Sequence, residues 1–253
     1  MIPHVMQSET WDCGLACVAM VVQRAFLRGG GGAAAEEALQ VRMGGAGGVL
    51  SSILQMAGTS SVWTIDLAYI LRRCGIDCVF CTNTIGVDPN YLTISFYRGE
   101  LQNDTSRVDR LFAKAAKCGV RVVKGSVSAD AIGAFLSHGR GPAGGGTLRA
   151  AIVLVDLRYL TCKRCLFKRN PFRFAFAGHY ILVTRCTTVC GAGGTGGGGS
   201  SPGLEFYYRD PSSSVSAREC VISAADFDRA RQSYGTDEDI LLLNIPCVAK
   251  GNN

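Results

Sequence analysis

Cys13 sits between Asp12 and Gly14, at the start of a segment in which Leu15, Val18, Ala19 and Val22 recur at helical spacing. A thiol attacks as the thiolate, and a helix N-terminus favours that anion through its unpaired amides and the macrodipole. Asp12 is expected to cap this helix, and Gly14 to keep the approach to the sulfur open. Gln7 lies just upstream. Its carboxamide and the backbone amide of Cys13 are expected to face a developing oxyanion. Cys17, one turn further in, reads as a core thiol.

Such a sulfur needs a base. The chain has three histidines. His4 lies in the N-terminal extension, and His138 ends a helix, where a cation suits the dipole. His179 opens the run His-Tyr-Ile-Leu-Val, where a strand mouth can face a cleft. Asp210 closes the run 204–209, directly before Pro211. If these two strands are neighbours, the start of one lies beside the end of the other. Asp210 then holds the His179 imidazole in one tautomer. The order Cys, His, Asp is that of papain-type sites. The predicted catalytic set is therefore Cys13, His179, Asp210 and Gln7, acting on a peptide, isopeptide or related acyl bond. Neither cofactor nor metal is expected in that chemistry.

The elements that must position these groups follow from periodicity and punctuation. Helices are expected over 12–23, from Thr64 to Gly75, over 107–117 and 129–137, and over 225–233 with Ser223 as cap. A short helix over 33–43 is possible in pattern. Strands are expected over 76–82, 120–123, 150–156, 179–185, 204–209 and 240–245. Helices first and strands second is an α+β order. The expectation is one papain-like domain over 1–253, its helices packed on an antiparallel sheet.

Most of the 32 glycines fall in three tracts. They read as loop insertions near 29–58, 139–147 and 191–203, because glycine runs lose too much backbone entropy to build a core. The last tract should leave the sheet at the end opposite His179.

Composition bounds the partners. With 47% hydrophobic and 18% charged residues the chain can build a large core and is not a disordered one. The net charge of +6 is dispersed. Its densest cluster, Lys163, Arg164, Lys168, Arg169 and Arg173 among phenylalanines, reads as a basic loop rather than a nucleic-acid surface. Met1–Met6 carry no secretory pattern, and no apolar run is long enough to span a bilayer. A soluble cytoplasmic or nuclear protein is expected, with a peptide or protein substrate as partner and its twelve cysteines mainly reduced. Cys162-Lys-Arg-Cys165 has zinc-knuckle spacing, but the matching pair it needs is offered only by the looser Cys186 and Cys190.

Two nested resemblances rest on these residues. Gln7, Asp12-Cys13-Gly14, Ala16-Cys17, the His179 strand and the Asp210-Pro211 step resemble the bacteriocin-processing peptidase domains of bacterial exporters. That resemblance implies the fold and the thiol site. Trp11-Asp-Cys-Gly-Leu-Ala-Cys17, Trp63-Thr-Ile-Asp-Leu-Ala-Tyr69, Phe80-Cys-Thr82, Gly86-Val-Asp88, Ser95-Phe-Tyr-Arg98, Ala151-Ile-Val-Leu-Val155 and Ser233-Tyr-Gly-Thr-Asp-Glu-Asp-Ile240 resemble the guanylyl cyclase domain-containing family of eukaryotes. Its plant members have been described as soluble guanylyl cyclases. The glycine tracts depart from that family's pattern. This resemblance implies an alternative activity, GTP to cGMP with magnesium or manganese. A third possibility is a catalytically silent interaction module. A cyclase needs carboxylates for two metal ions. Asp237, Glu238 and Asp239 read instead as a solvated turn, Asp66 and Asp88 as isolated, and no Gly-rich phosphate loop stands at a strand–helix junction.

Overall fold

Ala150, Ala151, Ile152, Val153, Leu154 and Val155 are all buried, so the strand that carries them is covered on both faces. A computed structural model describes residues 1–26, 48–138, 147–165, 175–189, 203–212 and 219–246. It is a mixed α+β structure. The described helices are α1 (Cys13–Phe26), α2 (Gly48–Ala57), α3 (Thr64–Arg73), α4 (Leu101–Lys114), α5 (Ala129–Ser137) and α6 (Ala224–Arg231). The strands are β1 (Asp77–Thr82), β2 (Arg121–Lys124), β3 (Leu148–Asp156), β4 (Gly178–Val189), β5 (Gly203–Arg209), β6 (Cys220–Ser223) and β7 (Ile240–Ile245). They form one sheet in the order β2-β1-β7-β3-β4-β5-β6.

Strand alternation divides the core in two. Ile152, Leu154, Tyr180, Leu182, Leu241 and Leu243 pack with α1, α2 and α3. Ala151, Val153, Ile181, Val183, Phe206 and Ile240 pack on the other face with Ile132 and Leu136 of α5 and Phe227 of α6. Helices therefore cover both faces.

The neighbouring β4 and β5 pair antiparallel, with Leu182 opposite Arg209. This brings the start of β4 beside the end of β5, as the site requires. Val189 and Gly203 pair at the far end. β4 thus ends and β5 begins at the sheet end away from His179; the 191–199 tract, like those at 29–47 and 139–146 and the expected helix over 33–43, lies outside the described residues.

Four expectations are corrected. The sheet is not wholly antiparallel, because β1 and β2 pair parallel. The long crossover through α4 supplies the reversal that a parallel pair needs. The stretch 48–57 is a helix rather than insertion, seating Val49 and Ile53 against α1. The helix expected over 107–117 starts at Leu101, which is buried among aromatic side chains. Finally, β6 was too short to stand out from its polar neighbours.

Candidate active site

Helix α1 begins at Cys13, and its first intrahelical bond runs from Ala16 N to Asp12 O at 2.9 Å. The Asp12 carboxylate does not cap the helix. It turns back to accept the amides of Ser8 at 3.0 Å and Glu9 at 3.2 Å, closing the loop before the helix. That loop is tied to the Asp210 end of the sheet, since Gln7 N donates to Pro211 O at 2.9 Å and the His4 ring to Asp210 O at 3.0 Å.

Gly14 has a reason other than open access. A Cβ there would lie 2.8 Å from Leu67 Cδ1 and 2.9 Å from Tyr180 Cδ2, so α1 presses its first turn onto α3 and β4. Gly14→Ala is expected to cost about 1–3 kcal/mol through overpacking, read as a lower midpoint in urea denaturation. An unchanged midpoint would show that Leu67 yields without cost.

Cys13, His179 and Asp210 come together, each about 95% buried. The His179 Nε2–H donates to Asp210 Oδ1 at 2.8 Å. The same oxygen accepts Ser212 N at 2.9 Å and Ser212 Oγ at 2.7 Å, which fixes the carboxylate. The ring also hydrogen-bonds Cys13. Tyr180 N donates to Cys13 Sγ at 3.5 Å. Burial by itself lowers the His179 imidazole, but the hydrogen bonds to Asp210 and Cys13 and the charges of both outweigh it, raising it to about 9. Cys17 is fully buried and donates to Tyr180 O at 3.7 Å. Burial, then Cys13 and Asp210, push its thiol well up, as befits a core residue.

Gln7 stands differently. One of its carboxamide N–H groups donates to Glu9 O at 2.7 Å, leaving the second free, and its Oε1 is buried without a partner. It does not line the cavity that opens on Cys13.

That cavity holds about 420 Å³. Trp63, Phe96, Tyr97 and Tyr180 give it aromatic walls, and Asp104, Asp237 and Asp239 line it too. Tyr97 is central, stacking on Trp63 at 5.3 Å and Tyr91 at 4.9 Å between ring centroids. None of the described lining residues is basic. Trp63 Nε1 donates to Asp104 Oδ2 at 2.8 Å, and Arg107 bridges Asp104 at 2.9 Å to Asp66 at 2.5 Å. Asp66, expected from sequence to be isolated, is therefore tied into this network; it also accepts Trp63 N at 2.9 Å, closing the first turn of α3.

The acidic run is not a solvated turn either. Asp237 Oδ1 accepts Thr84 Oγ1 and Tyr91 Oη, both at 2.6 Å. Glu238 accepts Asn83 at 2.8 Å and Ser126 at 2.5 Å. Asp239 is bonded by Thr64 and Thr82, and its Oδ1 has no hydrogen-bond partner. The three side chains are engaged by different neighbours, and among the described residues the ligand group that does converge is made of cysteines. The acidic run does not fit the oxygen set that a pair of magnesium or manganese ions needs.

Burial, then the charge of Asp237, raise Asp239 to about 8. An unfolded chain releases this proton near the ordinary value of 3.8. The protonated form therefore contributes its stability fully below about 4 and loses it progressively up to about 8. Asp239→Asn is expected to flatten this decline and to gain roughly 1–3 kcal/mol at the alkaline end, measured by urea denaturation at several pH values. Parallel pH profiles for the two proteins would refute it.

The cavity residues were missed because they lie far apart in the chain. Trp63, Tyr97, Asp237 and Asp239 do fall within the segments that carried the eukaryotic resemblance, and the structure gathers them beside Cys13. No described helix is long and apolar enough to cross a membrane.

Comparison with known proteins bears on the family of the chain. No solved structure matches the chain. A curated relative from Arabidopsis thaliana, named Guanylyl cyclase 1, is 34% identical over 255 aligned positions, covering 99% of this chain and 78% of the relative. The family model described as guanylylate cyclase matches residues 2–243, nearly the whole chain. The chain therefore belongs to the guanylylate cyclase family.

Proposed function

We propose that this member of the family is a thiol-dependent hydrolase of papain-like type, acting on a peptide, isopeptide or related acyl bond. The observation that supports this most is His179, buried between the Cys13 sulfur and the Asp210 carboxylate, with a cavity opening on Cys13. With its proton passed to His179, Cys13 Sγ attacks the acyl carbon, and the backbone N–H of Cys13 meets the oxyanion. His179 delivers its proton to the leaving amine as the carbon–nitrogen bond breaks. Water then adds to the thioester, His179 takes its proton, and the carbon–sulfur bond breaks. Asp210 keeps the ring aimed throughout. The aromatic walls and carboxyl groups favour an apolar substrate segment carrying hydrogen-bond donors.

The name of the relative raises a second reading, a guanylyl cyclase. A triphosphate in this cavity would meet Asp104, Asp237 and Asp239 with no basic lining residue among those described. One experiment separates the readings. The purified chain is treated with a peptide electrophile and mapped by mass spectrometry, and in parallel given GTP with magnesium or manganese. Labelling confined to Cys13 supports the hydrolase. Cyclic GMP formed equally by Cys13→Ala supports the cyclase. Neither activity, with a protein partner bound normally by Cys13→Ala, supports a silent module.

A further inference from the structure

Cys162, Cys165 and Cys220 bring their sulfurs within 4.8 Å of one another, and Cys165 Sγ lies 3.9 Å from Cys220 Sγ. We propose that these three thiolates hold one zinc ion, with the fourth position taken by water or another small ligand. The spacing is what zinc requires. Zn–S bonds near 2.3 Å at tetrahedral angles put the sulfurs about 3.8 Å apart. The sequence offers only the looser Cys186 and Cys190 as a matching pair, and no metal was expected from it; the fold supplies Cys220 from β6, which no local motif announces.

The surroundings are built for such a site. The turn that carries Cys162 and Cys165 is anchored to β6 by Lys163 N donating to Val221 O at 2.8 Å, and to β5 by Tyr208 Oη donating to Thr161 O at 2.8 Å. Arg164 N points at Cys162 Sγ from 3.4 Å, the amide-to-sulfur contact by which a knuckle turn supports an anionic thiolate. Lys163 pairs with Glu205 at 2.5 Å, and the Arg164 guanidinium sits 5.4 Å from the Tyr207 ring centre, so both intervening basic residues are docked on β5. Soft sulfur ligands without a carboxylate favour zinc over magnesium or calcium.

The site is distinct from the thiol centre. Cys220 belongs to the core on the α5–α6 face of the sheet, whereas Cys13 packs on the α1–α3 face. Its role is a clamp. Cys220 pairs in register with Tyr208, two residues before Asp210, so the ion joins the β3–β4 connection to the β5–β6 pair, whose strand β5 leads directly into Asp210.

The test is elemental analysis of the full chain purified under reducing conditions and dialysed against zinc. One equivalent is expected in the wild type and in Cys118→Ser, whose exposed thiol lies outside the cluster. At least a tenfold loss is expected in Cys165→Ser and Cys220→Ser. Should those variants fail to fold, native wild-type protein answers the question. Alkylation should spare Cys162, Cys165 and Cys220 until a chelator is added, while Cys118 reacts throughout. Cobalt(II) in place of zinc should give the strong visible bands of a tetrahedral thiolate site. Wild-type protein that retains no zinc, zinc retained in full by folded Cys220→Ser, or chelator-independent alkylation of the three thiols would each overturn the proposal.

Discussion

His179→Ala is expected to lower the rate at which a peptide electrophile labels Cys13 by about 10²- to 10⁴-fold, the range that a positioned acid–base group supplies. The ring is hydrogen-bonded to the sulfur on one side and to a carboxylate on the other. Asp210→Asn should lower the rate less, because the ring remains but loses the charge that orients it and holds its proton. The pH profile carries a further signature. With the folded value raised to about 9 against an ordinary 6.5, the ring stays protonated through neutral pH. Its stabilising pairing is full below about 6.5 and is lost as pH rises through 9. Substrate turnover should therefore fall on the alkaline side with a midpoint near 9, and Asp210→Asn should move that midpoint down. Labelling that is equally fast in wild type and His179→Ala would remove the basis for an activated thiol.

Arg107→Met is expected to cost roughly 3–5 kcal/mol, the cost of leaving buried carboxylates without their cation. Asp104 and Asp66 are only 4% and 8% exposed, and Arg107 joins both. It also donates to Ser61 O at 2.8 Å. Burial raises Asp66 most, with Trp63 N and Arg107 opposing it. Without Arg107, both carboxylates must take up protons or draw in water. For a domain of this size the loss corresponds to a fall in melting temperature of roughly 6–20 °C. Because Asp104 also holds Trp63, the aromatic wall should loosen and Trp63 fluorescence should change. Replacing both acids as well, Asp66→Asn and Asp104→Asn, should recover part of the loss, since neutral amides tolerate the missing cation. A melting temperature within a degree or two of wild type in Arg107→Met would show that these carboxylates are hydrated and the network is peripheral.

Residues 12–23, 179–185 and 204–209 show what sequence alone determines. Helical recurrence of apolar side chains, the glycine after Cys13 and the run of β-branched residues after His179 are local signals, and local backbone preference decides such elements. They sufficed to anticipate that Cys13, His179 and Asp210 meet, because that meeting needs only one helix start and two antiparallel neighbours. Tertiary structure decided the rest. Asp12 looks like a cap in sequence, yet its carboxylate serves the preceding loop, because the Gln7 and His4 segment is pulled onto Pro211 and Asp210. Glu238 and Asp237 look solvated, yet both adopt positive φ values, 53° and 50°, which turn their side chains into hydrogen-bonding partners from other elements. Gly14 looks like an open approach and is a packing requirement set by Leu67 and Tyr180. The cavity beside Cys13 and the cysteine cluster unite residues from several separate segments, Trp63 with Asp237 and Cys162 with Cys220. No periodicity encodes such meetings. They arise when a seven-stranded sheet with helices on both faces fixes which distant side chains share a face, and burial then sets their charges.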